Sequence, residues 1–218
     1  MTTVGHRVFT PTLTGFGERV HLLSREIDLE THIADVANLM IYEDLQDVVL
    51  VGHSYGGIIV RHVADRLSER VRSLIYLDAF VPDHGKSLFD CLPDNGSAFR
   101  EVARTAGDGW MVPPLPASLF AVNAADAAWV DRQCTMAPLG ILDQPAQLTG
   151  ACDSISRIGY IRATGHEGKA LLEPFYALAG ERKWWRAELP CGHDVMLDMP
   201  NELASLLLQR ADIDVLQK

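Results

Sequence analysis

The sequence predicts an α/β protein in which a mainly parallel sheet is flanked by helices. Short apolar runs typical of buried strands, such as Val48–Val51, alternate along the chain with segments of helical apolar spacing. Strands and helices that alternate in this way form parallel sheets covered on both faces. The chain has 218 residues, of which 48% are hydrophobic and 22% charged, so we expect one globular domain spanning 1–218.

Composition excludes several classes of partner and location. The formal net charge of −10 argues against nucleic acid and anionic membranes as partners. No apolar run is long enough to predict a membrane span, and the start of the chain lacks the apolar stretch of a secretion signal, so we expect a cytoplasmic protein. The four cysteines form no Cys-x-x-Cys pair and are expected to be free thiols.

The order of the elements follows from periodicity and turn residues. In chain order, we predict a short strand at Val8–Thr10, a helix from Leu29 to Met40 capped by Asp28, a strand at 48–51, a helix at 55–68, strands at 71–77 and 158–163, a helix at 169–180, a strand at 184–189 and a helix at 201–211. Prolines and short helical patches at 96–105 and 124–134 mark the middle of the chain. We therefore predict a mostly helical cap at residues 83–147, inserted between core strands.

The most informative motif is Gly52-His53-Ser54-Tyr55-Gly56, which lies between the strand at 48–51 and the following helix. A serine in a sharp glycine-rich turn between strand and helix is typical of a nucleophile elbow. The glycines allow strand and helix to pack closely around the strained serine. Ser54 is therefore the predicted nucleophile.

A serine hydroxyl needs a histidine that accepts its proton and a carboxylate that orients the histidine. Of the eight histidines, His193 is the predicted base, because it follows the last strand and lies beside Gly192. The side chain of His53, inside the elbow, should point away from that of Ser54. The other six are interpreted as surface or packing residues: His6, His21, His32, His62, His84 and His166.

Two carboxylates can serve as the acid. Asp78 ends the strand that follows the elbow helix, so it should lie at the same sheet edge as Ser54, and we favour it. Glu167, after the strand at 158–163, is the alternative. Asp83 is a further candidate, and Asp194 is too close in sequence to His193 to orient it.

The remaining site groups are less well defined by the sequence. The backbone N–H of Tyr55 should be one oxyanion donor, and Val4-Gly5-His6 does not match the usual signature for a second. Trp110, Met111, Phe120 and Trp129 could line an apolar substrate pocket, or simply pack the cap. The His and Cys residues show no ligand spacing and there is no phosphate-binding glycine loop, so neither a metal nor a cofactor is predicted.

The chain resembles α/β-hydrolase-fold esterases of the hydroxynitrile lyase and plant methyl-esterase type and their bacterial carboxylesterase relatives. The matching segments are Thr12–Gly15, Asp28–Ala37, Gly52–Gly57, Tyr76–Asp83 and Gly192–Asp194. The resemblance implies Ser54 as nucleophile and His193 as base. Plant members carry the acid near Glu167, whereas some haloalkane dehalogenases and lipases carry it one strand earlier, which matches Asp78. Those dehalogenases use an aspartate nucleophile, so Ser54 argues against their reaction.

The resemblance also implies early strands and an oxyanion loop, His-Gly-x-Trp, that have no counterpart before Val8. The strand expected between those at Val8 and Val48 would be missing, which leaves backbone groups unpaired. Three explanations were considered. The sequence is an incomplete version of a longer product, which we favour; the two flanking strands pair directly; or a partner chain donates a strand.

The predicted function is hydrolysis of carboxylic esters, preferentially small or medium apolar ones, through an acyl-enzyme on Ser54. A hydroxynitrile-lyase reaction is the first alternative; it needs a pocket lysine, for which Lys86 and Lys169 are the candidates. A non-catalytic binding protein with the same fold is the second. The expected partner is a small-molecule ester, and homodimer formation is left open.

Overall fold

A computed structural model of the protein, which describes residues 1–211, contains a four-stranded parallel sheet and a separate two-stranded one. The strands are β1 (Val48–His53), β2 (Val71–Leu77), β3 (Met111–Val112), β4 (Ala137–Pro138), β5 (Ile158–Ala163) and β6 (Trp185–Leu189). The main sheet has the order β1-β2-β5-β6, and β3 pairs antiparallel with β4. The predicted α/β fold is confirmed; the predicted domain range 1–218 extends beyond the described residues.

Helices flank the strands, and those at 56–66, 169–181 and 200–211 pack against the main sheet. They are α1 (Leu29–Tyr42), α2 (Gly56–Arg66), α3 (Ser97–Ala106), α4 (Ala127–Gln133), α5 (Gly140–Asp143), α6 (Lys169–Glu181), α7 (Val195–Asp198) and α8 (Pro200–Ala211). Among residues 1–211, none of these helices has both the length and the apolar character needed to cross a membrane.

Local sequence explains where α1 begins and which side it buries. The Asp28 carboxylate accepts a hydrogen bond from the backbone N–H of Thr31 at 3.0 Å, and the Thr31 hydroxyl completes a capping box. Leu29, Ile33 and Met40 recur at helical spacing and are at most 2% exposed. This apolar stripe packs α1 against α2, the helix that follows the elbow.

The register of the strands brings the site together. His53 of β1 lies opposite Leu77 of β2, so the next residues, Ser54 and Asp78, are neighbours at the carboxyl edge. The Ser54 N–H donates to the Leu77 carbonyl at 3.2 Å, and the Asp78 N–H donates to the Ile161 carbonyl at 2.7 Å. Loops that leave this edge after parallel strands are where α/β proteins place their ligand and catalytic groups.

Residues 83–147, the predicted cap, contain α3, α4, α5 and the β3–β4 pair. The helical patches predicted at 96–105 and 124–134 correspond to α3 and α4. The segment touches the site through its 116–121 stretch, because the carbonyl of Phe120 accepts from the backbone N–H of His193 at 2.8 Å. The cap boundaries themselves stay a prediction.

The strand predicted at Val8–Thr10 is wrong. These residues are irregular, and within the described chain no backbone hydrogen bond joins residues 7–12 to β1. A groove of about 800 Å³ separates the two, lined by residues 5–11 on one side and by Val48–His53 on the other. A strand needs a partner at ladder distance, and the groove keeps that partner out of reach. Direct pairing of the two flanking segments, one of the three explanations, is therefore excluded.

Candidate active site

Ser54 occupies a strained turn between β1 and α2. Its φ of 53° lies in the left-handed region, which non-glycine residues seldom adopt. The Ser54 carbonyl accepts from the N–H of Phe80 at 3.1 Å, which ties the turn to the segment after β2. A Cβ at Gly52 would lie 2.5 Å from the carbonyl oxygen of Gly56 and would overlap Val60, so only glycine lets strand and helix approach this closely.

The residue after the serine is anchored by its side chain. The Tyr55 hydroxyl lies 3.0 Å from His32 Nδ1, and His32 Nε2 donates to the Thr14 carbonyl at 2.9 Å. Because Nε2 carries the proton, Nδ1 accepts from the Tyr55 hydroxyl. Burial raises the pKa of Tyr55 and lowers that of His32, so both stay neutral. The Tyr55 backbone N–H, beside the N-terminus of α2, has no backbone partner in the described chain.

Asp78 and His193 meet although 115 positions separate them in the chain. His193 Nδ1 lies 2.7 Å from Asp78 Oδ2, and Asp78 Oδ1 accepts from the Ala163 backbone N–H at 3.1 Å. Asp78 is 0% exposed and His193 5% exposed. An ionised carboxylate can only accept, so Nδ1 of His193 carries the proton and Nε2 is left with its lone pair. This is the tautomer that a general base requires.

A second histidine, His166, contacts the same carboxylate oxygen. Its Nε2 lies 2.8 Å from Asp78 Oδ2, and the residue is 5% exposed. Burial lowers its pKa, which favours the neutral ring. The sequence analysis, which interpreted His166 as a surface or packing residue, did not predict this contact with Asp78. The position of His166 just after β5, at the same sheet edge as Asp78, is the sequence feature that could have predicted the contact.

Rings and main-chain groups hold His193 in position. The His53 ring lies 4.5 Å from the His193 ring and the Phe120 ring 5.2 Å from it, centroid to centroid. His53 Nε2 donates to the His193 carbonyl at 2.9 Å, and burial lowers the His53 pKa to about 3. A Cβ at Gly192 would lie 2.7 Å from an Asp198 oxygen and would overlap the Ala121 carbonyl. The loop before the base therefore requires glycine for close approach.

The predicted nucleophile and the predicted base are not hydrogen-bonded to each other in the part of the chain that the structure describes. Among residues 1–211, no hydrogen bond connects the Ser54 hydroxyl with His193. Hydrogen bonds between catalytic groups are often long in resting enzymes and shorten only in the reacting complex.

The other candidate residues lie elsewhere. Glu167 is exposed, Asp83 lies 3.9 Å from Arg61 Nη2, and Asp194 lies 3.8 Å from His53 Nε2. Burial raises the pKa of Asp194. Of the two lysines considered for a lyase reaction, Lys169 donates to the Thr164 carbonyl at 2.8 Å, and Lys86 is exposed.

Of the predicted pocket residues, Phe120 is the one whose ring contacts His193 within the described chain. Trp129 is 50% exposed on α4. The guanidinium of Arg25 lies over the Trp110 ring, 5.6 Å from the ring centroid. Met111 forms part of β3. The apolar pocket made by all four residues stays a prediction.

Asp78, His166 and His193 also form a group that could offer ligand atoms to a metal ion, with all three atoms within 4.8 Å of one another. Hydrogen bonds of 2.7 and 2.8 Å from both rings to one oxygen already explain this arrangement. We therefore interpret the group as a proton-sharing cluster and do not assign it to a metal.

Comparison with known proteins identifies the family. The sequence model of the Alpha/beta hydrolase family matches residues 2–206. The chain belongs to this family. The predicted resemblance, which rested on the elbow and on Gly192-His193-Asp194, is thereby confirmed.

One relative matches most of the chain and another matches about a third of it. This chain is 45% identical over 216 residues to a carbendazim hydrolyzing esterase from Nocardioides sp. (strain SG-4G). The match covers 93% of this chain and 87% of the relative. A pyrethroid hydrolase from Sphingobium wenxiniae (strain DSM 21828 / CGMCC 1.7748 / JZ-1) is 35% identical over 83 residues, 37% of this chain and 29% of that protein.

The fold matches that of solved hydrolases. An extracellular alpha/beta-hydrolase from a Paenibacillus species, described as sharing structural and functional homology with tobacco salicylic acid binding protein 2, superposes with a TM-score of 0.78. The two sequences are 23% identical, and the match covers 96% of this chain and 89% of that one.

Proposed function

We propose that this alpha/beta hydrolase is a carboxylic-ester hydrolase in which Ser54 is the nucleophile, His193 the base and Asp78 the acid. The observation that carries the proposal is the 2.7 Å contact from His193 Nδ1 to the buried Asp78 carboxylate, at the strand edge that also bears the elbow serine. A carboxylate, a correctly protonated imidazole and a serine on a strained turn together form the catalytic set of acyl transfer. The 45% identical relative is itself an esterase.

The reaction proceeds in two halves. His193 Nε2 removes the hydroxyl proton as the Ser54 oxygen attacks the ester carbonyl, and the imidazolium is stabilised by Asp78. When the tetrahedral intermediate collapses, the C–O bond to the alcohol breaks and His193 returns the proton to the departing oxygen. Water then attacks the acyl-enzyme with the same base, which releases the acid and restores Ser54.

The developing oxyanion is stabilised from the side of α2. Among residues 1–211 the Tyr55 backbone N–H has no backbone partner, and it lies beside the helix N-terminus, where the aligned peptide dipoles favour negative charge. The bond between the Tyr55 hydroxyl and His32 keeps the side chain away from this task.

Two substrates test the proposal at different levels. p-Nitrophenyl acetate is an activated ester and reports the chemistry alone, whereas carbendazim is the compound named for the 45% identical relative. We expect turnover of p-nitrophenyl acetate with a burst of p-nitrophenol, and labelling of Ser54 by a fluorophosphonate. Carbendazim turnover would indicate that the substrate range is shared with that relative.

Replacing the nucleophile is the decisive experiment. Ser54→Ala should lower kcat/KM by at least about 10⁴-fold and abolish labelling, because no other group can form the acyl-enzyme. Ser205→Ala is the matched control, since this exposed serine on α8 only donates to the Asn201 carbonyl. An active Ser54→Ala variant, or an unlabelled and inactive parent enzyme, would contradict the proposal.

A further inference from the structure

The buried Asp78 carboxylate has two histidine partners, and the proposed triad uses only one of them. His193 Nδ1 and His166 Nε2 approach the same oxygen, Oδ2, at 2.7 and 2.8 Å. Since an ionised carboxylate has no proton to donate, the nitrogen of each histidine that faces Oδ2 must carry a hydrogen. This assigns His166 to the Nε2–H tautomer and His193 to the Nδ1–H tautomer.

We propose that His166 is a positioning residue that holds Asp78 against His193 by donating its Nε2–H, and that it must remain neutral for His193 to act as base. The inference rests on the proposed function, since it assigns His166 to the same proton-transfer site. Within residues 1–211, the His166 ring is hydrogen-bonded to Asp78 and not to Ser54, so in this proposal it acts through the carboxylate.

The donor role follows from the isolation of Asp78. The carboxylate is 0% exposed, and its partners in the described chain are the two histidines and the backbone N–H of Ala163. A buried charge is stabilised only where hydrogen-bond donors replace the lost water. Removing the His166 donor would leave Oδ2 with one partner and would loosen the carboxylate that orients His193.

The requirement for neutrality follows from charge balance. During acyl transfer His193 becomes an imidazolium, and the single negative charge of Asp78 stabilises it. The His166 ring lies 5.1 Å from the His193 ring, centroid to centroid. A protonated His166 would repel the imidazolium and would already neutralise Asp78, so the base would lose its stabilising partner.

The surroundings of His166 favour the neutral ring. The titratable and charged groups around it come from four parts of the chain: Asp78 after β2, His193 and Asp194 after β6, Lys169 and the exposed Glu167 around the start of α6, and His53 at the end of β1. Burial, His193 and Lys169 all lower the pKa of His166, and they outweigh Asp78, which raises it. His166 also lines a surface depression of about 510 Å³, through which protons can reach the ring.

The tautomers can be measured directly on the unmodified enzyme. In histidine-labelled protein near pH 7.5, ¹⁵N NMR of the imidazole nitrogens should show His166 protonated only on Nε2 and His193 only on Nδ1. Assignment uses His166→Gln, in which one set of ring signals disappears. A His166 ring protonated only on Nδ1, or on both nitrogens, would overturn the proposal. This readout needs no catalytic activity, so it can fail independently of the esterase assignment.

Three substitutions separate donation from charge. His166→Gln places a neutral amide N–H near the Nε2 position and should keep kcat within about 3-fold of the parent enzyme. His166→Leu removes the donor and should lower kcat by about 10-fold or more with little change in KM. His166→Lys keeps a donor but adds a positive charge, and it should be clearly slower than His166→Gln.

Each outcome bears on the proposal. Full activity in His166→Leu would show that Asp78 needs no second donor, and equal rates for the Gln and Lys variants would show that neutrality is unimportant. Activity that depends on added zinc in the parent enzyme and is lost in His166→Gln would assign the cluster to a metal and overturn the proposal. If His166→Leu does not fold, as judged by thermal unfolding, the Gln and Lys pair and the NMR measurement decide.

Discussion

The two flanks of β1 differ sharply in how completely they are built. On the β2 side, strands pair in register, and Asp78 receives three hydrogen-bond donors at the end of β2. On the other side, β1 faces a groove of about 800 Å³. Residues 7–12, across this groove, make no backbone hydrogen bonds to β1 in the described chain. The proposed proton-transfer half of the site is therefore fixed by paired strands, whereas the proposed oxyanion half depends on the turn at Ser54 alone.

Among the changes that test this comparison, the largest effect should come from Asp78, the proposed acid at the end of β2. Asp78→Asn should lower kcat/KM by about 10²-fold to 10⁴-fold, because an amide N–H facing His193 favours the wrong tautomer. Glu167→Gln is the matched control, because among residues 1–211 this exposed carboxylate makes no hydrogen bond with His193. The substitution should leave kcat/KM unchanged. The opposite pattern, with Glu167 essential and Asp78 dispensable, would break the assignment.

A smaller effect concerns stability and pH. Burial lowers the pKa values of four histidines: His32, His53, His62 and His166. For His53 the pKa falls to about 3. The unfolded chain binds more protons below the ordinary histidine value of 6.5, so their contribution is complete above pH 6.5 and is lost as pH falls toward 3.

This pH dependence can be measured by urea unfolding at pH 8, 6.5 and 5. We expect the free energy of unfolding to fall by about 2 kcal/mol or more between pH 8 and pH 5. Constant stability down to pH 5 would mean that these histidines are not held neutral.

The smallest effect tests the open flank. Backbone amides of β1 that face the groove should exchange with solvent at least about 100-fold faster than those of Leu74–Leu77 in β2, which has strands on both sides. Hydrogen exchange followed by NMR measures both sets in one sample, and β5, also an interior strand, is the reference. Equal protection across β1 would mean that its outer edge is covered in solution, and repeating the measurement at several concentrations would detect a second copy as the cover.

Some of this molecule follows from its local sequence. The elbow, the strands at 71–77 and 158–163 and the capped helix at Leu29 are specified by apolar periodicity, glycines and an N-cap aspartate, all of which act over a few residues. The strand predicted at Val8–Thr10 failed because strand formation also needs a partner, which no local pattern supplies.

Apolar periodicity, the glycine-rich turn and the loop after the last strand were enough to predict the fold class, Ser54 and His193. The structure was needed to show that Asp78 contacts His193 and that His166 contacts the same carboxylate. His166 and His193 lie 88 and 115 positions along the chain from Asp78, whose carboxylate they share. Their contact depends on strand register and on the direction of each side chain at the sheet edge, and both are set by packing across the whole sheet rather than by neighbouring residues.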